Sequence, residues 1–452
     1  MFRRRSRAGT KCSRTRSFFV LQFLYKKFFC QCHIFGFSIV RYGEEHFSYD
    51  KKTQMRSCKY VTKRERIQEL DAYRALAIMA VLAIHATSEA LAATIGSRAY
   101  PLYLLINTFS KFAVPVFIFL SGFVLFYNYA DKPLSGGTIR QFYRKRLLYI
   151  LVPYLVFSAF YYLLKLYRSD MLFDLSWAVA YDFIKALFGG RAYTHLYYII
   201  IMVQFYILFP LLLAVFQKMR RTVPLMFLAA ALLQWGFIIV NKYGWQIPRG
   251  NLAISYLSYF IFGAWIAMHY ESIRNWLVHL SKGYKQIAGW VVLWSVWIGL
   301  GIYHAYMFYR ANVGKIFVNT LWYELVWYIH SLLSCIILIQ ISFVLFYRCG
   351  RKVSSWVTSI GACSFGIYLL HPFLLFIYRK IGIKGNMLEY ALYIAGGWIF
   401  AFIGSWFIVY MISRVTSWSW IAFGIVPVQD KDSKSRIVDK PHHEANVRNL
   451  SE

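Results

Sequence analysis

The stretch "LDAYRALAIMAVLAIHAT", residues 70–87, decides how this chain is read. It is apolar enough to cross a membrane as a helix, a task that takes roughly 20 residues. Yet it carries Asp71, Arg74 and His85. Ionisable side chains in a bilayer are costly unless they face a polar cavity or a partner. A spanning helix that keeps three of them points to a polar groove inside a helix bundle.

Arg74 and His85 lie eleven residues apart. At about 100° per residue that is roughly 20° beyond three full turns, so both fall on one face. At about 1.5 Å rise per residue they are separated by about 16 Å along the axis. Asp71, one turn before Arg74, and Glu89, one turn after His85, extend the stripe. Two plainer readings stand beside the groove: Arg74 snorkels to the interface with Asp71 as its partner, and His85 makes an interhelical hydrogen bond. The groove reading puts a cation at the mouth and a proton acceptor in the depth, the pair a phosphorylated donor would need.

Working outward, the 452-residue chain is 59% hydrophobic and 20% aromatic, with 15% charged residues against about 25% in soluble domains. Ten apolar runs follow, near 70–90, 108–130, 147–166, 195–216, 223–240, 252–270, 287–308, 320–346, 362–378 and 390–412. The fold class is therefore all-α: a polytopic membrane protein of about ten transmembrane helices around a polar cavity. The alternating pattern of a β-barrel is not seen.

A net charge of +32 raises nucleic acid as a partner, but the basic residues are dispersed over short loops. Orientation accounts for them. Segments 51–66, 129–146, 217–222, 271–286 and 347–352 carry 21 Lys and Arg, against 10 in the alternate segments. The richer set belongs in the cytoplasm, which puts both termini there. Seven cysteines, four of them in the first 58 residues, make no disulfide framework, and "CQCH" (30–33) lacks the second pair of a zinc site. No metal is expected.

Three regions result. Residues 1–65 form a basic amino-terminal extension, of which 1–54 match the rest poorly, so that Met55 is a candidate start. Residues 66–415 form the membrane domain. Residues 416–452 form a polar cytoplasmic tail, partly disordered by composition, and it holds His442 and His443.

"ELDAYRALAIMAVLAIHAT" resembles the first helix of acyltransferase family 3, the integral membrane O-acyltransferases, whose hallmark is Arg, ten residues, His; Arg74 and His85 match it without a gap. "KFAVPVFIFLSGFVL" (111–125) is similar to the second helix, with Pro115 and Ser121-Gly122-Phe123. "FYRKRLLYILVPYLVFS" (142–158), "THLYYIIIMVQFYILFPLL" (194–212) and "CSFGIYLLHPFLL" (363–375) resemble three later signatures. Five motifs in order, over about 66–415, are specific where one would be weak. There are departures. A second loop arginine common in the family would fall at Tyr149, counting from Arg146, and Trp is commoner where Tyr197 stands. A hydrolase-like domain after the last helix is not seen either, so an acyl relay through one is not expected of this chain.

The resemblance implies transfer of an acyl group, usually acetyl, from cytoplasmic acetyl-CoA to a hydroxyl of a cell-surface or lipid-linked glycan in a bacterial plasma membrane. Acetyl-CoA is then a co-substrate, with no permanently bound cofactor. Arg74, Arg140, Arg144 and Arg146 would meet the donor's phosphates, although the topology rule alone also explains the loop arginines. His85 would act as general base towards the acceptor hydroxyl, or as a nucleophile that carries the acetyl group. Glu89 or Asp71 would orient the imidazole or balance Arg74. Ser121 and His371, in their motifs, are candidate cavity or acceptor contacts.

His195 reads as structural, and Glu324 and His330 as interhelical partners. Segment 167–192 reads as an amphipathic interface helix, with sugar contacts from Trp177 and Tyr181 as the alternative. The rival function is a polysaccharide or solute exporter without acyl-transfer chemistry. A third reading is a membrane sensor that tolerates loss of Arg74 and His85.

Overall fold

The computed structural model describes residues 66–171, 176–278, 284–383 and 385–427. The amino-terminal extension, "CQCH", the bulk of the tail with its two histidines, and Asp174 lie outside them. By its contacts the chain divides into two units: residues 62–278 with 296–452, and residues 1–61 with 279–295. The described part of the latter is the start of one helix, residues 284–295, and the candidate site lies wholly in the former.

The described residues are helical, without strands. α1 is Glu69–Ala93; α2, Tyr100–Phe109, continues through one 3-10 turn into α3, Ala113–Tyr129. α4, Gly136–Arg168, is followed by a short α5, Trp177–Gly189, then α6, Tyr197–Lys218, and α7, Val223–Val240. α8 is Leu257–Met268, α9 Tyr270–Val278, α10 Tyr284–Asn312 and α11 Thr320–Tyr347. α12, Arg351–Ala362, and α13, Ser364–Arg379, precede α14, Met387–Val415, and a single turn, α15, Trp420–Phe423.

Eight of these stretches are long and apolar enough to span a membrane, with α2 and α3 counted together. α12 and α13 make a ninth if their 75° bend is taken as a broken span. The run at 252–270 folds as a 3-10 turn and the twelve-residue α8, nine of whose residues are buried. α8 is short because the run opens as the 3-10 turn Ala253–Tyr256, and its buried residues pack against α3 and α7. The chain is a multi-pass membrane protein.

Close helix crossings hold the bundle together, as expected where burial from water cannot drive association. A side chain at Gly122 of α3 would meet the carbonyl of Phe260, and one at Gly263 of α8 would meet that of Phe119. The Ser121-Gly122-Phe123 motif thus packs helices at its glycine. Gly361 of α12 seats directly on the main chain of Asp71 in α1. α1 consequently sits inside the bundle, with Tyr73, Ala77, Ile78 and Leu82 buried.

α5 has no buried residue. Tyr154 and Tyr162 of α4 donate to the carbonyls of Leu187 and Val179, tethering it. Trp177, Tyr181, Ile184 and Phe188 are exposed on successive turns. These side chains form the exposed apolar face expected of an amphipathic helix.

Candidate active site

The stripe on α1 begins with an ion-pair cluster. The carboxylate of Asp71, 1% exposed, accepts from Arg74 at 2.5 Å on one oxygen and from Arg66 at 2.6 Å on the other. Asp71 therefore balances Arg74 and does not reach the imidazole. Arg74 stays partly exposed, at 28%.

Further along α1, His85 lies in a cluster of three histidines. His371, from α13, has its ring 5.1 Å from that of His85. His195, two residues before α6, lies 6.3 Å from His85 and 5.6 Å from His371. His195 and His371 are fully enclosed. Neither ring nitrogen of His195, nor Nε2 of His371, has a hydrogen-bond partner among the described residues. Buried polar nitrogens are seldom left unpaired, so these three atoms are open to a hydrogen bond from water or another polar group.

The local sequence explains the arrangement. His371 Nδ1 meets the carbonyl of Ile367, one turn back, at 3.0 Å. A carbonyl only accepts, so the proton sits on Nδ1 and Nε2 of the neutral ring is an acceptor. Pro372, next along, has no amide to bond the carbonyl of Tyr368, which loosens the helix at this turn. Tyr368 donates to the main-chain carbonyl of His195, and Tyr161 to that of Leu369 at 2.7 Å. Tyr161 also stacks on Tyr193 at 4.4 Å, and the two rings lie 5.2 and 5.7 Å from His195. No group of three or more His, Cys, Asp or Glu among the described residues is placed to hold a metal.

Glu89, expected to steer the imidazole, is instead engaged by Arg379 at the end of α13, at 3.0 Å. The same guanidinium donates to the main-chain carbonyl of His85 at 2.8 Å. The coupling between Glu89 and His85 runs through the backbone. Arg140 and Arg144 are exposed and Arg146 half-buried, in the first turns of α4. Ser121 is half-buried and makes no hydrogen bond to a described residue. Glu324 pairs with Arg249 of the loop before α8, and His330 of α11 packs against Phe109 of α2 and Trp297 of α10, so only His330 has interhelical partners.

His195, read as structural, and Arg379, counted only as an outer charge, are brought beside His85 by the fold. An intramembrane histidine in the "THLYY" motif was the available signal for the first. The second had none beyond its place two turns past the "LLHP" motif.

The stripe of charge on α1 thus leads to three neighbouring imidazoles, two of them enclosed and that of His85 half-buried. Residues 67–410 match the acyltransferase family 3 model, described as an acyltransferase domain, and the chain belongs to that family. It is a membrane acyltransferase. The chain is also similar to proteins named "Probable poly-beta-1,6-N-acetyl-D-glucosamine export protein" from Staphylococcus aureus strains MRSA252 and MSSA476. Both are 25% identical over 285 residues, which cover 60% of this chain and 71% of theirs. No solved structure matches the chain.

Proposed function

We propose that the protein transfers an acetyl group from cytoplasmic acetyl-CoA to a hydroxyl of a cell-surface or lipid-linked glycan, with His85 as general base. The observation that carries this reading is the cluster of His85 with His195 and His371, about 16 Å along α1 from Arg74. In this reading Arg74, helped by Arg140, Arg144 and Arg146, takes the charge of the donor's phosphates. His85 accepts the proton of the acceptor hydroxyl as its oxygen attacks the thioester carbonyl. A carbon–oxygen bond forms, the carbon–sulfur bond breaks, and the departing thiolate recovers the proton from the imidazolium. Arg379 is a positioning residue, holding the main chain of His85.

The membrane is bacterial in this reading, and the Arg-rich start of α4 faces the cytoplasm. The glycan acceptor draws support from the relatives, whose name refers to an amino-sugar polymer. That name also favours a second reading, export of a polysaccharide.

Labelled acetyl-CoA supplied to membranes containing wild type, Arg74→Ala or His85→Ala at equal expression separates the two. Acetyl transfer predicts label in extractable glycan with wild type only. Polysaccharide flux that survives donor depletion, with no label, would favour export.

A further inference from the structure

α4 carries cations at both ends. Arg140, Arg144 and Arg146 occupy its first turns, and Lys165 and Arg168 its last. Arg140 and Arg168 are 28 residues apart, about 42 Å at helical rise and more than the thickness of a bilayer core. At the second end lies a cavity of about 570 Å³, within the ~300–1,000 Å³ of small-molecule sites. Lys165 and Arg168 line it from α4, Arg191 and Tyr193 from the loop between α5 and α6, and Tyr197 from the start of α6.

The lining contains three cations and no carboxylate. None of the three forms an ion pair with a carboxylate among the described residues, although Asp170 and Asp182 are near in sequence. Topology does not explain them, because in the orientation proposed above this is the extracytoplasmic end, where Lys and Arg are disfavoured. The wall is also built closely: Gly190 has φ +66°, and a side chain there would strike the main chain of Tyr197. Tyr193 connects the cavity to the histidines, since its ring lines the one and lies 5.7 Å from His195.

From this geometry we infer that the cavity formed by Lys165, Arg168 and Arg191 is the acceptor subsite, and that it takes an acceptor sugar bearing an anionic group, phosphate or carboxylate. The inference rests on the acyl-transfer reading for the acceptor's role, and on the cavity alone for its charge. Two arginines and a lysine on the wall of one open cavity suit oxyanions, with Lys165 resting over Tyr162 and Arg168 over Phe376 while their charges stay exposed, and aromatic faces beside them suit a sugar ring. The negative charge can belong to the sugar itself or to the phosphate that links the sugar to a lipid carrier.

The test is equilibrium binding to the full chain in phosphatidylcholine nanodiscs, measured apart from transfer. Probes are a glucuronate trisaccharide, its neutral glucose counterpart, and a polyprenyl-pyrophosphoryl sugar. Binding at least tenfold tighter for an anionic probe than for the neutral one is expected, with the margin shrinking as salt rises. It should vanish in the triple variant Lys165→Gln/Arg168→Gln/Arg191→Gln. Preference for the trisaccharide assigns the charge to the sugar, and preference for the pyrophosphoryl probe assigns it to the carrier. Equal binding of charged and neutral probes, or a preference insensitive to salt in the wild type, overturns the inference even if the variant does not fold. Failure of every probe to accept acetyl while anionic selectivity persists would count against the acyl-transfer reading, not against the charge of the subsite.

Discussion

Arg379 grips α1 twice: its guanidinium donates to the main-chain carbonyl of His85 at 2.8 Å and pairs with the carboxylate of Glu89 at 3.0 Å. The two bonds lie one helical turn apart and fix the end of α13 against the turn of α1 that presents the imidazole. Of the two partners Glu89 is the more dispensable, since its side chain is 61% exposed and an exposed ion pair contributes at most about 1 kcal/mol. Glu89→Gln should therefore keep activity within about threefold of wild type. Arg379→Ala releases the carbonyl as well and should lower acetyl transfer by roughly tenfold to a hundredfold, because small displacements of a reacting group are costly. Initial rates of labelled acetyl transfer at matched expression distinguish the two; equal losses would remove Arg379 from its positioning role.

His85 and His371 should respond differently to substitution. As general base, His85 contributes about 10²–10⁴-fold, so His85→Ala is expected to cost at least the lower figure while leaving donor binding in place. His371 holds its proton on Nδ1 towards Ile367 and offers Nε2 to the cluster. His371→Gln, which retains a polar atom near that position, should keep more activity than His371→Phe, which removes it. Rapid quench with labelled acetyl-CoA adds a second readout: acetate covalently held by wild type and absent from His85→Ala would assign His85 as nucleophile instead.

Much of this was legible in the sequence, and the parts that were not have physical causes. The Arg74–His85 stripe follows from helical periodicity, a local property, and apolar runs revealed the helices because lipid demands them. α8 is shorter than the apolar run at 252–270, since hydropathy does not distinguish one continuous helix from a run that opens as a 3-10 turn. The role of Asp71 as partner of Arg74 was anticipated by their spacing of three residues. What periodicity cannot supply is the meeting of distant segments: His195 joins His85 across 110 positions and Arg379 across 294. Each carried a plausible local explanation, and only the packing of α13 on α1, with the segment that leads into α6 brought beside both, gives them a common place.

Asp71 offers a test of the stripe's charged end. Both of its oxygens are taken, by Arg66 and Arg74, and its side chain is 1% exposed. Asp71→Asn keeps the shape but removes the charge that holds two guanidinium groups, so Arg74 loses its fixed position. Breaking a buried pair from one side costs about 3–5 kcal/mol, reduced here because both arginines reach solvent. The expected outcome is a lower yield of folded protein together with a raised KM for acetyl-CoA in the fraction that folds. An unchanged KM in folded Asp71→Asn would separate Arg74 from the donor.

Gly361 carries the most direct structural prediction. A Cβ built there falls on the carbonyl of Asp71, and main chain cannot swing aside as a flexible side-chain tip can. α12 and α1 would have to separate at the level of the Asp71 ion pairs. Overpacking of this kind costs about 1–3 kcal/mol and more where backbone must move, so Gly361→Val should shift the thermal transition of the purified protein down by several degrees. Gly299→Ala is the matched control, because nothing lies within 4 Å of the Cβ it would add. Fluorescence-detected size-exclusion chromatography after graded heating reads both. If Gly361→Val survives heating as well as Gly299→Ala does, the close crossing of α12 on α1 is not what holds the charged stripe in place.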